Sequence, residues 1–410
     1  MGLTKMPKHR VCIAENVAIE KATEDFRKLL NEELQRVKEI SQGDSSKKID
    51  FATLDKLIIG VIAGDGIGPI ITREAVKVLE AALYEEISSG SVEIRQIDGL
   101  TIENRLEKGE SVPKDVLDEI KKCHVLLKGP TETPKGGSKS GDMRSANVTL
   151  RSELDLFANV RPVKVPEKSI DWMFFRENTE GEYVLGSRGV EIPELLAVDF
   201  KVISNAGTER IARAAMEYAV KAGKHKIAVV TKANIIKKCD GNFSRICHEV
   251  AEDFPCLELE EYYVDIMAAK MIDEGAQSKF EVFVMPNLYG DILTDEAAQI
   301  QGGVGTAGSA NIGSRYAMFE AIHGSAPRMI ESGRGEYANP SSLIKAAAMM
   351  LEHTGRMEAA SKIEAVLAKS ESKRKEGLTA EKFGDWFCEE LASCLLYTSD
   401  AADERASVDL

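Results

Sequence analysis

The chain has 410 residues, enough to bury a large core and to divide into two or three structural units. It is 43% hydrophobic and 29% charged, and its formal net charge of -14 disfavours non-specific binding to nucleic acid or to an anionic membrane surface. An anionic substrate therefore requires a local basic pocket.

No apolar run is long enough to span a bilayer, and the N-terminus lacks the apolar core of a secretory signal. Seven cysteines are scattered without a C-x-x-C pair, which suits a reducing compartment, and the cytoplasm is the expected location.

In chain order, the first pattern is a recurrence of Ile19, Ala22, Phe26, Leu29, Leu30, Leu34, Val37 and Ile40 at three- and four-residue steps, the stripe of an amphipathic helix. Such a helix serves as an interface element or, more commonly, packs on its own domain. Apolar runs at 57–62, 124–127, 226–230 and 280–284 read as buried strands. Helical patterns at 72–84, 208–222, 241–253 and 340–353 separate or follow them, and this alternation indicates an α/β fold. The last of these helices opens on Asn339-Pro340, with proline expected in the first turn. Residues 394–410 resemble translated vector or adapter sequence and are set apart from the fold.

Several groups of residues suggest chemistry. Gly64-Asp65-Gly66-Ile67-Gly68 lies between a strand and a helix, but the dinucleotide fingerprint needs G-x-G-x-x-G, and here Pro69 follows at once. A tight strand-to-helix turn is the other reading. Arg144, Arg151, Arg161 and Arg176 are interleaved with Ser145 and Asn147 and preceded by Lys128. Guanidinium forks bind carboxylates bidentately, so converging arginines suit a polycarboxylate, although solvated surface arginines are common. Leu150, Leu154, Leu156 and Phe157 among them indicate partial burial.

Asp291 and Asp295 stand four apart at an expected helix start, so both carboxylates share one face. They suit Mg²⁺ or Mn²⁺ as hard oxygen ligands, or simply the favourable field of a helix N-terminus. Asp265 is a third candidate ligand. Lys232 ends a buried strand, where lost solvation would let an amine carry a proton near neutral pH, and Tyr183 is a second candidate acid–base group.

Taken in order, these segments resemble the decarboxylating dehydrogenases that act on isocitrate, isopropylmalate and homoisocitrate. The resemblance rests on residues 64–68, 144–151 with 161–163, 175–180, 287–291, and 323–327 with 339–340, and runs from about Leu57 to His353. It implies a large cofactor domain from 51–156 and 303–393, a smaller domain with dimer contacts from 157–302, and residues 1–50 as a helical extension. It implies that Arg151, Arg161 and Arg176 grip the carboxylates common to these substrates, with Asn234 also on the substrate. Asp291 and Asp295, with Asp265 from a partner subunit, would hold the metal. Lys232, also from the partner, would take the hydroxyl proton, and Tyr183 would protonate the enolate carbon. Lys128, Thr133, His323, Gly324, Ser325, Ala326, Pro327, Arg328 and Asn339 would meet the cofactor.

Ser145 and Asn147 favour isocitrate, because hydroxyl and amide groups hydrogen-bond a third carboxylate where an isopropyl group would call for apolar neighbours. Isopropylmalate and homoisocitrate remain alternatives, as does a non-catalytic regulatory subunit. NAD and NADP both stay open: Arg328 stands where NAD-specific relatives carry an aspartate, yet Met329 stands where NADP-specific relatives carry a tyrosine. A homodimer with shared sites is the implied functional unit.

Overall fold

The computed structural model describes residues 8–41, 49–133, 143–184, 189–192, 195–303, 305 and 307–406. Twelve strands are present among them: β1 (Leu57–Ile62), β2 (Val92–Gln96), β3 (Val125–Lys128), β4 (Ala158–Val165), β5 (Ile170–Glu177), β6 (Val190–Ile192), β7 (Leu196–Val198), β8 (Lys226–Thr231), β9 (Glu258–Tyr263), β10 (Val282–Met285), β11 (Gly308–Ile312) and β12 (Ala317–Ala321). Ten of them form one sheet in the order β2-β1-β3-β12-β11-β4-β5-β10-β8-β9, and β6 and β7 form a separate hairpin. The four apolar runs seen in the sequence correspond to β1, β3, β8 and β10, with ends that agree to within two residues.

β2, β1, β3 and β12 run parallel to one another, as do β5, β10, β8 and β9. Between them the pairs β12·β11, β11·β4 and β4·β5 are antiparallel, so the two parallel blocks point in opposite directions. The expected domain boundaries at 156 and 302 precede β4 and β11, the strands of this reversal.

Each block is covered by helices whose apolar residues recur every three or four positions. Ile71, Ala75 and Val78 of the helix Gly68–Ala82 and Leu343, Ala347 and Leu351 of the helix Ser341–His353 pack with Ile59 and Val61 of β1. On the second block, Ile211, Ala215 and Ala219 of the helix Asn205–Lys221 cover Val229 and Val284, while Trp172, Phe174 and Phe283 fill the opposite side. The first helix runs Lys8–Ser41, and Leu29 is buried against Val184, Phe200 and Val202. It therefore packs on its own chain, though Val17, Ile19, Leu30 and Leu34 remain exposed.

Three details are added to these expectations. Pro340 caps the helix Ser341–His353 instead of entering its first turn, and the Asn339 side chain accepts from Ser341 N at 3.0 Å. The helix Ala380–Ala406 continues through most of the segment that the sequence set apart. The expected long helix at 72–84 starts earlier, at Gly68, and breaks after Ala82 before a short helix at Tyr84–Ser89. Among the described residues no helix is long and apolar enough to cross a membrane.

Candidate active site

Strand register and the two-residue alternation of side chains build the site. Lys128 pairs with Glu320, Glu320 with Ser309, Asn311 with Asn159, and Asn159 with Arg176. Ser309 and Asn311, like Asn159 and Arg161, are two apart. All seven residues therefore face one side of the sheet across β3, β12, β11, β4 and β5, a polar stripe at the reversal of strand direction.

The stripe is buried and internally hydrogen-bonded, as buried polar groups must be. Asn159 donates to Ser309 Oγ at 2.8 Å and to Asn311 Oδ1 at 3.0 Å, and Asn178 donates to Asn311 Oδ1 at 2.9 Å. Asn311 in turn donates to Glu320 at 2.9 Å, and Arg151 pairs with the same carboxylate at 3.1 Å. Burial opposes ionisation of Glu320, but the Lys128 and Arg151 charges beside it outweigh that and hold it down at about 2.

Above the stripe is a cleft of about 280 Å³ walled by Arg151, Arg161, Arg176, Tyr183, Asp291, Ser145, Asn147, His323 and Gly324. Arg176 is fastened by Asn287 Oδ1, which accepts from its Nε at 2.9 Å and its Nη2 at 2.7 Å, and by an ion pair with Asp291. Burial first, and then the Arg151 charge, lowers the Arg176 guanidinium to about 10. Arg161 bonds Thr294 and lies 3.3 Å from Asp295. Three guanidinium groups held this close repel one another, and Nε of Arg151 and of Arg161 is buried with no partner among the described residues. An anion with several carboxylates relieves both conditions.

Two further features suit such an anion. Ser145 directly precedes the helix Ala146–Glu153, yet its hydroxyl makes no capping bond and stays available to a ligand. The amide oxygen of Asn147 accepts from Thr131 at 3.1 Å, which leaves its NH2 group to donate. The positive end of this helix and these two donors share the cleft wall.

Tyr183 donates to Asp291 Oδ2 at 2.8 Å, and its ring lies under the Arg176 guanidinium at 5.5 Å. Burial and the Asp291 charge push its phenol up to about 12. Burial likewise opposes the charge on Asp291, but Arg176 and the Tyr183 hydroxyl keep its carboxyl below the ordinary range.

Other predicted site residues lie elsewhere. Lys232 pairs with Asp265 on the partly exposed outer side of the second block, and neither borders the cleft of its own chain. The loss of solvation expected of Lys232 is therefore not reached within one chain, where its side chain is 25% exposed. Asn234 is likewise outside the cleft. Lys128 is fully buried, with its ammonium on Gly129 O at 2.9 Å and on Glu320.

The glycine loop is a junction and not a phosphate cradle. Asp65 N and Ile67 N donate to Pro130 O and Ser325 O at 2.7 and 2.9 Å, so these amides are already used. Asp65 accepts from Ile102 N and Glu132 N, each at 2.8 Å. A Cβ on Gly66, whose φ is +59°, would lie 2.1 Å from Ser325 O, so the turn requires glycine. This junction fixes the 323–327 loop, where Ala326 adopts a left-handed φ of 47° and Pro327 opens the helix Pro327–Glu331 that carries Arg328. Thr133 is exposed at the end of the described 49–133 stretch, and Ser325 Oγ lies 3.2 Å from Glu132. Asn339 borders a second crevice of about 200 Å³ with Arg334, Tyr337, Lys373 and Arg374.

Among the described residues no three metal-binding side chains converge within the chain. Asp291 lines the cleft and Asp295, one turn on along the helix Asn287–Ile300, lies 3.3 Å from Arg161 of the cleft wall, a hard oxygen pair suited to a divalent cation completed by substrate and by a third carboxylate.

A model of the family described as isocitrate/isopropylmalate dehydrogenase matches residues 58–385. The chain is 40% identical over 318 residues to the isocitrate dehydrogenase [NADP] of Rickettsia prowazekii (strain Madrid E), a match that spans 75% of this chain and 61% of that protein's length. It is 38% identical over 319 residues to isocitrate dehydrogenase [NAD] subunit 2, mitochondrial, of Schizosaccharomyces pombe, covering 75% of this chain and 79% of that one. The crystal structure of isocitrate dehydrogenase from Methylococcus capsulatus superposes with a TM-score of 0.72 at 36% identity, covering 82% of this chain and 99% of the other.

Proposed function

The chain belongs to the isocitrate/isopropylmalate dehydrogenase family, and on that footing we propose that it oxidises isocitrate and decarboxylates the product to 2-oxoglutarate and CO₂, using a nicotinamide cofactor and Mg²⁺ or Mn²⁺. The observation that carries this reading is the convergence of Arg151, Arg161 and Arg176 with Tyr183 and Asp291 in one cleft, with Ser145 and Asn147 on its wall. The arginines suit the two carboxylates common to the family's substrates. Ser145 and Asn147 suit a third, which isocitrate has and isopropylmalate lacks.

Asp291 and Asp295 would hold the divalent cation, which when bound would supply stabilisation of negative charge on the substrate oxygen, and the nicotinamide would supply the hydride acceptor. The chain's own groups do the rest. Arg151 is kept from swinging by Glu320, and Arg176 by Asn287, so both guanidinium groups stay oriented before substrate arrives. Tyr183, protonated throughout the physiological range, gives its proton to the enolate carbon left by decarboxylation.

The base that takes the hydroxyl proton is Lys232 of a second copy. Lys232 and Asp265 form a pair on the outside of their own chain, which suits groups that complete a neighbour's site. The functional unit is then a homodimer with two shared sites, and Asp265 joins the neighbour's metal carboxylates.

For the cofactor, NADP is favoured over NAD. Arg328 on the helix Pro327–Glu331, and separately Arg334, Lys373 and Arg374 in the crevice with Asn339, offer cationic groups to a 2′-phosphate, whereas position 328 lacks the carboxylate that would grip a free ribose hydroxyl.

The test compares kcat/KM for isocitrate, isopropylmalate and homoisocitrate in the unaltered chain and in Ser145→Leu. Isocitrate should lead by orders of magnitude and lose that lead in Ser145→Leu. A chain that prefers isopropylmalate refutes the reading.

A further inference from the structure

The helix Lys8–Ser41 lies outside the region matched by the family, residues 58–385, yet it touches the segment that carries Tyr183 on both sides of that residue. Before Tyr183, Arg36 forms an ion pair with Glu180, whose side chain is fully buried, and reaches Thr179 Oγ1 at 3.4 Å. After it, Leu29 is buried against Val184, Phe200 and Val202, and the Phe26 ring packs at a tilt against Phe200, with ring centroids 5.1 Å apart. Tyr183 itself stands between two spaces, the substrate cleft and a crevice of about 210 Å³ on the far side that Arg36 helps to wall.

Glu180 is the hinge point of this arrangement. Besides Arg36 it accepts from Ser204 N at 2.8 Å and from the Ser204 hydroxyl, and its own carbonyl accepts from Asn287 at 2.9 Å. Asn287 is the residue that orients Arg176. A fully buried carboxylate needs a cation as well as hydrogen bonds, and among the described residues Arg36 is its salt-bridge partner. The chain between Glu177 and Tyr183 is thus anchored through a group supplied by the N-terminal helix.

We propose that the N-terminal helix is part of the active site, and that Arg36 is a positioning residue which, through Glu180 and Thr179, sets the place of the Tyr183 hydroxyl. This rests on the reading of Tyr183 as the proton donor. Leu29 fastens the same segment from its other end, so the two contacts act as a clamp with Tyr183 between them.

The test uses the full chain with isocitrate, NADP and Mn²⁺, and measures kcat, KM and melting temperature for Arg36→Met, Arg36→Lys, Tyr183→Phe, the double variant Arg36→Met/Tyr183→Phe, and Arg36→Met/Glu180→Gln. Arg36→Met should lower kcat about ten- to a hundredfold, the range expected of a misplacement near 1 Å, while KM moves less than about twofold. Arg36→Lys should restore part of the loss. The double variant with Tyr183→Phe should be no slower than Tyr183→Phe alone, because a residue that acts through the tyrosine has nothing left to position. Arg36→Met/Glu180→Gln leaves no buried charge unpaired, which separates folding from function, and should keep the kcat deficit.

An Arg36→Met kcat within about twofold of the unaltered chain overturns the proposal, as does a deficit that recurs in full on top of Tyr183→Phe. Recovery of full kcat in Arg36→Met/Glu180→Gln would also overturn it. If Tyr183→Phe itself keeps full turnover, the reading of Tyr183 fails and the proposal with it, an outcome distinct from the others.

Discussion

Gly290 sits in the first turn of the helix Asn287–Ile300, directly beneath the stem of Arg176, and Gly290→Ala separates stability from activity. A Cβ at this position would lie 2.4, 2.6 and 2.9 Å from Cγ, Cβ and Cδ of Arg176. Ordinary carbon contacts are about 3.5–4.0 Å, so the arginine stem has to move by roughly 1 Å. It cannot do so freely, because its guanidinium is held by Asn287 at 2.7 and 2.9 Å and by Asp291. Alanine improves the helix by about 1 kcal/mol, while overpacking costs about 1–3 kcal/mol, so net stability falls by at most about 2 kcal/mol. Activity responds differently. A displacement near 1 Å in a substrate-gripping arginine is enough for a loss of about a hundredfold in kcat/KM. Steady-state kinetics with isocitrate beside thermal melts of both proteins measure the two effects. A kcat/KM within about threefold of the unaltered chain would refute the claim that Gly290 keeps Arg176 in its working position.

Glu320→Gln leaves the buried Lys128 and Arg151 without their counter-charge and should cost about 3–5 kcal/mol in urea unfolding. Because the folded carboxyl is held at about 2 and its ordinary value is 4.5, its contribution is fully present above 4.5 and is lost as pH falls toward 2. The gap in stability between the two proteins should therefore narrow across that acid window and stay constant above it. Asp291→Asn removes the charge that helps raise Tyr183, so the phenol should move from about 12 back toward 10.0, read as the ultraviolet titration difference against the matching Tyr183→Phe protein. Arg328→Asp should shift the ratio of kcat/KM for NADP over NAD toward NAD by at least about tenfold, and an unchanged ratio would remove Arg328 from the cofactor site.

Much of the cleft was legible because its residues sit in short ordered motifs. Residues 144–151, Arg161, Arg176, residues 287–291 and residues 323–327 all point to one chemistry, and each of these motifs contributes at least one residue to the cleft lining. The α/β alternation was legible from strands that are apolar on both faces. β4, β5, β11 and β12 escaped for the opposite reason: each carries a buried polar residue on one face, such as Asn159, Arg176, Asn311 or Glu320, and a search for continuous apolar runs passes over them. Strict alternation in Ser309-Ala310-Asn311 was the available signal. Glu320, which holds Arg151 and Lys128, escaped with them. The role of Arg36 had no local signature at all, since its partner Glu180 is 144 residues away in sequence. Only tertiary contact brings the two together.

The central claim is that this cleft couples oxidation of isocitrate to loss of its carboxyl group. Labelled CO₂ released from carboxyl-labelled isocitrate, measured together with reduced nicotinamide in the presence and absence of Mn²⁺, tests it most directly. One CO₂ for each reduced nicotinamide, only with the metal and abolished by Arg161→Met, is the predicted result. Nicotinamide reduction without CO₂, or no turnover of isocitrate with either cofactor, would contradict it.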